Sequence, residues 1–316
     1  MRRPWLRLSI VASIAAASVM LGLAMGERWL NPFEPVSDMD AVILESLRWP
    51  RVANAAAVGA LLAMAGAWLQ ALVGNPLAEP YVLGVAGSGS VGAILAIGVA
   101  GGEIAASTGA FVGAFVGTVA ILPFVRLGPT RLLLAGVVLA ALWGALAALA
   151  LSLLGDSELR QAVQWMLGDL GASQVPTWLL VAGGAAALAF GLALARSLDR
   201  LALGETHAAT SGTPVGLLRL ALVLLASATT GLAVAAAGTV GFVGLIVPHA
   251  MRLLIGSPHR LLLPASALGG AALLVLADAG ARSVVAPAEL PVGVMTALLG
   301  VPTFLWLLAR RTPWRS

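Results

Sequence analysis

Long apolar runs alternate with short clusters of glycine, proline and charged residues along the whole chain. A helix needs about 20 predominantly apolar residues to cross the hydrocarbon core of a bilayer. Ten runs approach that length, and they predict ten transmembrane helices at about residues 8–28, 52–73, 83–101, 106–125, 131–154, 176–195, 215–235, 238–255, 261–281 and 290–309. We therefore expect an all-α integral membrane protein with a single domain, residues 1–316.

Two parts of this pattern leave an alternative open. The first run follows a positively charged start, as in a signal peptide. It is nearly long enough to span, and no clear small-residue cleavage site follows it, so we interpret it as a retained helix. The third and fourth runs are short and rich in glycine, and they also fit one broken pair or a partly re-entrant pair.

The composition strengthens the membrane interpretation. Of the 316 residues, 60% are hydrophobic and 10% are charged, and the mean hydropathy is +0.99. A soluble domain carries roughly 25% charged residues. So few charges cannot cover a water-exposed surface, which excludes an ordinary soluble protein.

Cysteine and lysine are both absent, and this excludes several kinds of site. Without cysteine the chain has no disulfide, thiolate nucleophile or cysteine metal site. Without lysine it has no P-loop, so any ATP hydrolysis that drives transport occurs in another chain. The eighteen basic residues are arginines scattered singly, and they do not form the basic stripe of a nucleic-acid-binding protein.

The distribution of arginine predicts the orientation of the chain. Cytoplasmic loops of membrane proteins carry an excess of positive charge. With the N-terminus inside, thirteen arginines fall in the cytoplasm and five fall outside. The opposite orientation inverts this bias, so we expect both termini in the cytoplasm.

Three arginines on the predicted outer side need a reason. Arg48 and Arg51 lie in RWPR, just before the second helix, and Arg282 lies at the outer end of the ninth. They could pair locally with Glu45 or Asp278 and extend to the membrane interface. They could equally form a docking surface for an acidic partner, and the residues by themselves favour neither interpretation.

Two motifs suggest reactive or metal-binding chemistry but have simpler explanations. Ser88 and Ser90 in AGSGSVG, with His249 as base, would fit an intramembrane serine protease. Glycine–serine runs in membrane helices are more often packing surfaces, which we favour here. The three histidines, His207, His249 and His259, lack the spacing of one helical face, so we expect no metal site.

An ion-coupled secondary transporter is a further alternative. Such a carrier usually keeps ionisable residues at mid-membrane. Asp278 is the only acid well inside a predicted helix, and it lies near the end of that helix. This pattern lowers the odds of an ion-coupled mechanism.

Prolines mark irregular backbone that we expect to line a cavity. NPLAEPYVLG (75–84) places two prolines between the second and third helices. Pro291 opens the tenth helix and Pro302 interrupts it, because proline cannot donate to the helical ladder.

A polar stretch, PHAMRLLIGSPHR (248–260), separates the eighth and ninth helices. It would suit a catalytic site, a metal site or a loop at the membrane edge. We expect the loop, in which Pro248 ends a helix and Gly256 with Pro258 turns the chain. Arg252 and Arg260 then obey the positive-inside rule.

Three long stretches carry a resemblance to a known family. They are RWPRVANAAAVGALLAMAGAWLQALVGNPLAEPYVLGVAGSGSVGA (48–93), ELRQAVQWMLGDLG (158–171) and the stretch from GTVGFVGLIVPHA to TFLWLL (238–308). Together they resemble the FecCD-type permeases in matching order over nearly the whole chain. These permeases are the membrane subunits of type II ATP-binding cassette importers for iron-siderophores, haem and vitamin B12.

The resemblance implies an architecture and a set of partners. It implies a ten-helix permease in the inner (plasma) membrane with both termini cytoplasmic. A second permease subunit, most simply a copy of this chain, two cytoplasmic ATP-binding subunits and a periplasmic or lipoprotein substrate-binding protein complete the importer. Apart from membrane lipid, no further partner is implied. The permease itself is not an enzyme and has no cofactor, and the transported chelate stays open.

The resemblance also implies roles for particular residues. The outer arginines Arg48, Arg51 and Arg282 would meet glutamates on the binding protein, since a guanidinium takes a carboxylate bidentately. The loop LALGETHAATSGTPV (201–215) would couple to the ATPase, although Ser211 stands where leucine is usual. The implied coupling residues are Gly204, Glu205, Ala208, Ala209, Gly212, His249, Arg252 and His259. Pro129 and Thr130 in GPTRL (128–132) would form the inner gate.

Overall fold

Helices joined by short turns make up the structure, a computed structural model that describes residues 4–26, 28–34, 37–171 and 173–309. No strand occurs in these ranges. The α-helices are α1 (Pro4–Ala24), α2 (Asp38–Val42), α3 (Trp49–Val73), α4 (Val85–Ala100), α5 (Gly102–Ile121), α6 (Pro129–Ser152), α7 (Asp156–Leu167), α8 (Thr177–Leu201), α9 (Glu205–Thr210), α10 (Val215–Ala237), α11 (Val243–Ile255), α12 (His259–Ala281) and α13 (Val292–Ala309). A π-helical stretch covers Ile43–Arg48, and 3₁₀ turns cover Pro80–Leu83 and Leu122–Leu127.

Each of the ten predicted runs overlaps one of these helices over most of its length. Within the described ranges, seven helices are long and apolar enough to cross a membrane, whereas α4, α11 and α13 are apolar but shorter. The all-helical membrane fold is therefore confirmed. The count of ten spans and the cytoplasmic termini stay predictions, and the terminal arginines used for the orientation, Arg2, Arg3, Arg310, Arg311 and Arg315, lie outside the described residues.

Helix α3 lies at the centre of the fold. In its most apolar 18-residue stretch, 78% of the residues are buried, compared with 17% for the corresponding stretch of α6, which is mostly exposed on the outside of this chain. Helices α8, α10, α11 and α12 surround α3. Because α3 directly follows Arg48, carries Arg51 at its start and leads into NPLAEPYVLG at its other end, it links both predicted functional regions.

Glycines allow the central helices to touch backbone to backbone. A Cβ at Gly59 of α3 would overlap the carbonyl oxygen of Gly270 in α12, and a Cβ at Gly270 would overlap that of Gly59. Gly92 of α4 and Gly109 of α5 face each other in the same way. Small residues have this role in membranes because lipid provides no hydrophobic drive to bring helices together.

Two non-helical segments, 74–84 and 238–242, meet inside the fold. Helix α4 has only 16 residues, or about 24 Å at 1.5 Å per residue, against a hydrocarbon core of about 30 Å. The segment before α4 re-enters the fold: a Cβ at Gly244 would lie 2.6 Å from Pro80 Cδ and 2.9 Å from the oxygen of Leu62. Leu62 is near the middle of α3, so the turn Pro80–Leu83 lies at about the mid-depth of that helix.

The structure corrects two expectations about backbone interruptions. Helices α4 and α5 are each continuous, and the re-entrant piece is the segment that precedes α4. Pro248 does not end a helix, because α11 continues through it to Ile255. Proline frees the carbonyl four residues earlier, and here the Gln70 amide lies 3.4 Å from that oxygen, which belongs to Gly244.

We predict that Gly59→Ala destabilises the protein. The new methyl group would press on the backbone of α12, and overpacking of this kind typically costs about 1–3 kcal/mol. Gly144→Ala in α6 is the matched control, because a Cβ there meets nothing within 4 Å, and alanine is the better helix former. Thermal unfolding of the purified protein in detergent should show a lower midpoint for Gly59→Ala alone; equal midpoints for the two variants would contradict the packing role.

Candidate functional site

Two of the three outer arginines are buried against the end of α1. Arg48 is 7% exposed and Arg282 is 6% exposed. Their guanidinium groups donate hydrogen bonds of 2.7–2.9 Å to backbone carbonyls at and just beyond the helix end, those of Gly22, Leu23, Ala24, Met25 and Arg28. The last carbonyls of a helix lack helical partners and carry partial negative charge, so the two arginines stabilise this end.

Arg51 occupies a different environment on the same face. Its Nε donates to Asp278 Oδ1 at 2.9 Å, and its Nη1 donates to Glu289 Oε2 at 2.7 Å. Asp278 is fully buried and also accepts from Arg282 Nε at 3.0 Å. The local pairing with Asp278 is therefore present, while the Arg51 side chain keeps 15% of its surface exposed and the Glu289 side chain keeps 54%.

These arginines surround a polar cavity of about 500 Å³ on the predicted outer side. Arg28 joins them at its rim and forms an ion pair with Asp40. The cavity lining includes Arg28, Arg48, Arg51, Arg282 and Glu289. Positive charge therefore outweighs negative charge along this lining.

A second polar cluster joins segments 74–84 and 238–242, and it was not among the predicted site residues. The Glu79 carboxylate accepts a 2.7 Å hydrogen bond from Phe242 N–H. The Tyr81 hydroxyl donates to Val240 O at 2.9 Å and accepts from Val240 N–H at 2.7 Å. The available signal was a carboxylate and the only tyrosine of the chain within a short polar interruption of apolar helices.

The predicted coupling loop forms α9 and its flanks. Arg219 of α10 pairs with Glu205, and Ala208 is buried at the centre of the loop. Ala209 is exposed, and Gly204 and Gly212 have φ of 110° and 80°, which favour glycine. Arg200 Nη1 lies 3.3–3.4 Å from Ser211 O and Thr213 Oγ1, so the loop is held from both neighbouring helices.

The remaining inner candidates are more buried than a surface contact requires. His259 is 2% exposed, and its backbone N–H and its Nδ1 lie 2.9 and 2.7 Å from Asp199 Oδ1. His249 is 8% exposed within α11. Arg252, one turn further along α11, is partly exposed. Asp199 thus ties the start of α12 to α8, and both histidines lie inside the protein rather than on its surface.

The predicted inner gate lies at the start of α6. Gly128, with φ of 95°, precedes the helix, and Pro129 occupies its first position, where a missing N–H costs nothing. Thr130 is exposed. The gate residues therefore lie at the start of α6, whereas the coupling residues lie on and beside α9 and on α11 and α12.

The structure supports the packing interpretation of AGSGSVG. The hydroxyl groups of Ser88 and Ser90 donate to carbonyls of their own helix, those of Val85 and Ala86, at 2.9 and 3.1 Å. Both serines are buried in α4, and a Cβ at Gly113 of α5 would overlap the carbonyl of Ser88. A nucleophile needs a base and an open approach, whereas both hydroxyls are buried and bonded to carbonyls of their own helix. Within the described ranges, no three histidine or acidic side chains converge as a metal site.

Comparison with known proteins agrees with this architecture. Residues 6–310 match the FecCD transport family. Vitamin B12 import system permease proteins BtuC are similar over nearly their full length: that of Vibrio vulnificus (strain CMCP6) is 40% identical over 96% of this chain and 94% of its own, and that of Salmonella typhi is 41% identical over the same shares.

Solved structures give the same result. An inward-facing metal-chelate type ABC transporter superposes with a TM-score of 0.87 at 29% identity, over 98% of this chain and all of the other. PsaBC from Streptococcus pneumoniae superposes with a TM-score of 0.63 at 17% identity, over 87% of this chain and 95% of the other, which supports the fold alone. With its apolar helices, its non-helical crossing and its full-length relatives, this chain belongs to the FecCD transport family of ABC importer permeases and is a multi-pass inner-membrane protein.

Proposed function

We propose that this chain carries vitamin B12 into the cytoplasm as the permease of an ABC importer. The observation that carries the proposal is similarity of about 40% identity, over nearly the full length of both chains, to permeases named for vitamin B12 import. Iron-siderophores and haem are the alternative cargoes within the family. The cargo crosses unchanged, because transport requires a path and a change of access rather than covalent chemistry.

The exposed side of α13 supports a second permease subunit. A cavity of about 550 Å³ lies between α7, Thr239 and α13, and apolar residues form nearly all of its wall. Leu298 and Trp306 of α13 are 63% and 52% exposed. We infer that a second copy of this chain faces the cavity, so that the cargo passes between two weakly binding apolar walls.

An external binding protein would dock on the arginine-lined cavity. Arg51 is the most suitable contact of the three predicted arginines, because it keeps exposed surface and its exposed partner Glu289 can yield to an incoming carboxylate. The guanidinium groups of Arg48 and Arg282 are hydrogen-bonded to carbonyls at the end of α1. These two residues would therefore add positive potential and fix the shape of the surface. ATP-driven closure of two cytoplasmic subunits would then move α9 and open the gate at Pro129 and Thr130.

Charge reversal tests the docking surface. Arg51→Glu should weaken binding of the binding protein at least about tenfold at low salt, and the difference should shrink as salt rises. Arg160→Glu on α7 makes the same charge change at an exposed outer-loop position and serves as the control. Surface plasmon resonance over a range of salt measures both; an equal loss for the two variants, or none for Arg51→Glu, argues against this docking assignment.

Uptake into proteoliposomes tests the cargo. The permease, reconstituted with its ATPase and binding protein, should accumulate cobalamin when ATP is present and should not accumulate it when ATP is omitted. Ferric siderophore and haem, offered at the same concentration, are the competing cargoes. Preferential uptake of either one would replace vitamin B12 while keeping the importer assignment.

The purified permease alone should hydrolyse no ATP. The chain lacks the lysine that a P-loop requires. A phosphate-release measurement before and after addition of the ATP-binding subunits checks this, with activity expected only after the addition. Turnover by the permease alone would contradict the division of labour proposed above.

A further inference from the structure

The strongest feature outside the proposed docking, coupling and gating residues is the hydrogen-bonded junction between segments 74–84 and 238–242. We call Glu79 and Tyr81, with the backbone of Val240 and Phe242, the polar latch. Three hydrogen bonds of 2.7–2.9 Å form it. Tyr81 and Val240 are 159 positions apart in the chain, and Glu79 and Phe242 are 163 apart. The latch is therefore a purely tertiary contact.

Each half of the latch satisfies groups that helices leave unpaired. Phe242 precedes the first residue of α11, and no side chain of its own segment caps that helix. The Glu79 carboxylate fills this position from another segment, where negative charge also complements the helix end. Tyr81 satisfies both the N–H and the carbonyl of Val240, which is 2% exposed.

The backbone beside the latch is irregular. Phe242 has φ of 68°, a conformation that residues other than glycine rarely adopt. Gln70 of α3 supports the other side of the crossing, since its amide lies 3.5 Å from Ala78 O and 3.2 Å from Leu245 O. Separating the two segments would leave a carboxylate and three backbone groups unpaired at mid-depth, where unsatisfied polar groups are costly.

Segment 238–242 is also connected by hydrogen bonds to the end of α7 and the loop that follows it. Thr239 donates a hydrogen bond to Met166 O at the end of α7. Asp169 N–H donates to Ala237 O at 3.1 Å, and Val292 N–H donates to Gly168 O at 3.3 Å. The re-entrant segment is therefore connected through 238–242 to the surface beside the docking cavity.

From this geometry we propose that the polar latch keeps segments 74–84 and 238–242 together as one moving unit throughout transport, with Glu79 as its positioning residue. Access then changes at contacts other than the latch. The proposal rests on the transport function above, because it assigns these residues a place in that cycle.

Substitutions at Glu79 separate the hydrogen bond from the charge. Glu79→Ala removes the acceptor for Phe242 N–H, and cobalamin uptake per ATP hydrolysed should fall at least about tenfold. Glu79→Gln keeps an oxygen that can accept this bond, so its uptake should stay close to wild type. If Glu79→Ala transports like wild type, or if Glu79→Gln is as defective as Glu79→Ala, the latch is not what Glu79 provides.

A covalent latch gives the sharper test, because the chain has no cysteine of its own. A Cβ at Gly241 would lie 3.8 Å from Glu79 Oε1 and meet no closer neighbour. In the reconstituted importer, Glu79→Cys with Gly241→Cys should transport poorly when reduced. It should regain uptake when a short bifunctional thiol reagent bridges the pair, with each single cysteine variant as control.

The opposite result would overturn the proposal. A pair that is active when reduced and blocked when bridged would mean that the segments separate during each cycle. The bridged pair remains informative even if Glu79→Ala fails to assemble. Wild-type uptake in the same vesicles tests the transport function separately, so a wrong cargo would appear as no uptake in any variant, including wild type.

Discussion

Satisfying backbone polar groups without water is the constraint that organises this protein. In lipid each unpaired N–H or carbonyl costs several kcal/mol, so spanning elements are helices and irregular backbone has to find partners inside the protein. The chain offers few polar side chains for this purpose. Gln70, Glu79 and Tyr81 are the polar side chains that bond the backbone near the starts of the short helices α4 and α11. They allow segments 74–84 and 238–242 to cross at the mid-depth of α3.

The same constraint explains the arginines that violate the positive-inside pattern. Arg48 and Arg282 complete the end of α1, and Asp278 balances the charge of Arg282 and Arg51. A structural role and a docking role are compatible on one face, because holding two guanidinium groups in place also fixes a positive potential there. Arg51 and Arg282 both make the local pair with Asp278, Arg48 bonds only backbone carbonyls, and Arg51 alone of the three keeps the exposed surface on which the docking proposal depends.

Close helix packing provides the frame that holds both polar clusters. Gly59 against Gly270 brings α12, and with it Asp278 and Arg282, to the arginines at the start of α3. On the inner half, Gly66 fits against the carbonyl of Gly244, which places the start of α11 beside the re-entrant segment. The more exposed helices α6 and α13 also pack closely at single glycines: a Cβ at Gly136 of α6 would overlap the carbonyl oxygen of Val82, and one at Gly293 of α13 would lie 2.6 Å from that of Leu167.

The sequence by itself determined the fold class, the positions of the helices and the family, because apolar run length and linear motifs are local properties. It also excluded a P-loop in this chain, since that motif requires a lysine. Only the tertiary structure decided that α11 continues through Pro248, that Arg48 and Arg282 bind α1, and that Glu79 meets Phe242. Arg282 and Gly22 are 260 positions apart and Glu79 and Phe242 are 163 apart, and no local pattern specifies which distant backbone groups a polar side chain will satisfy.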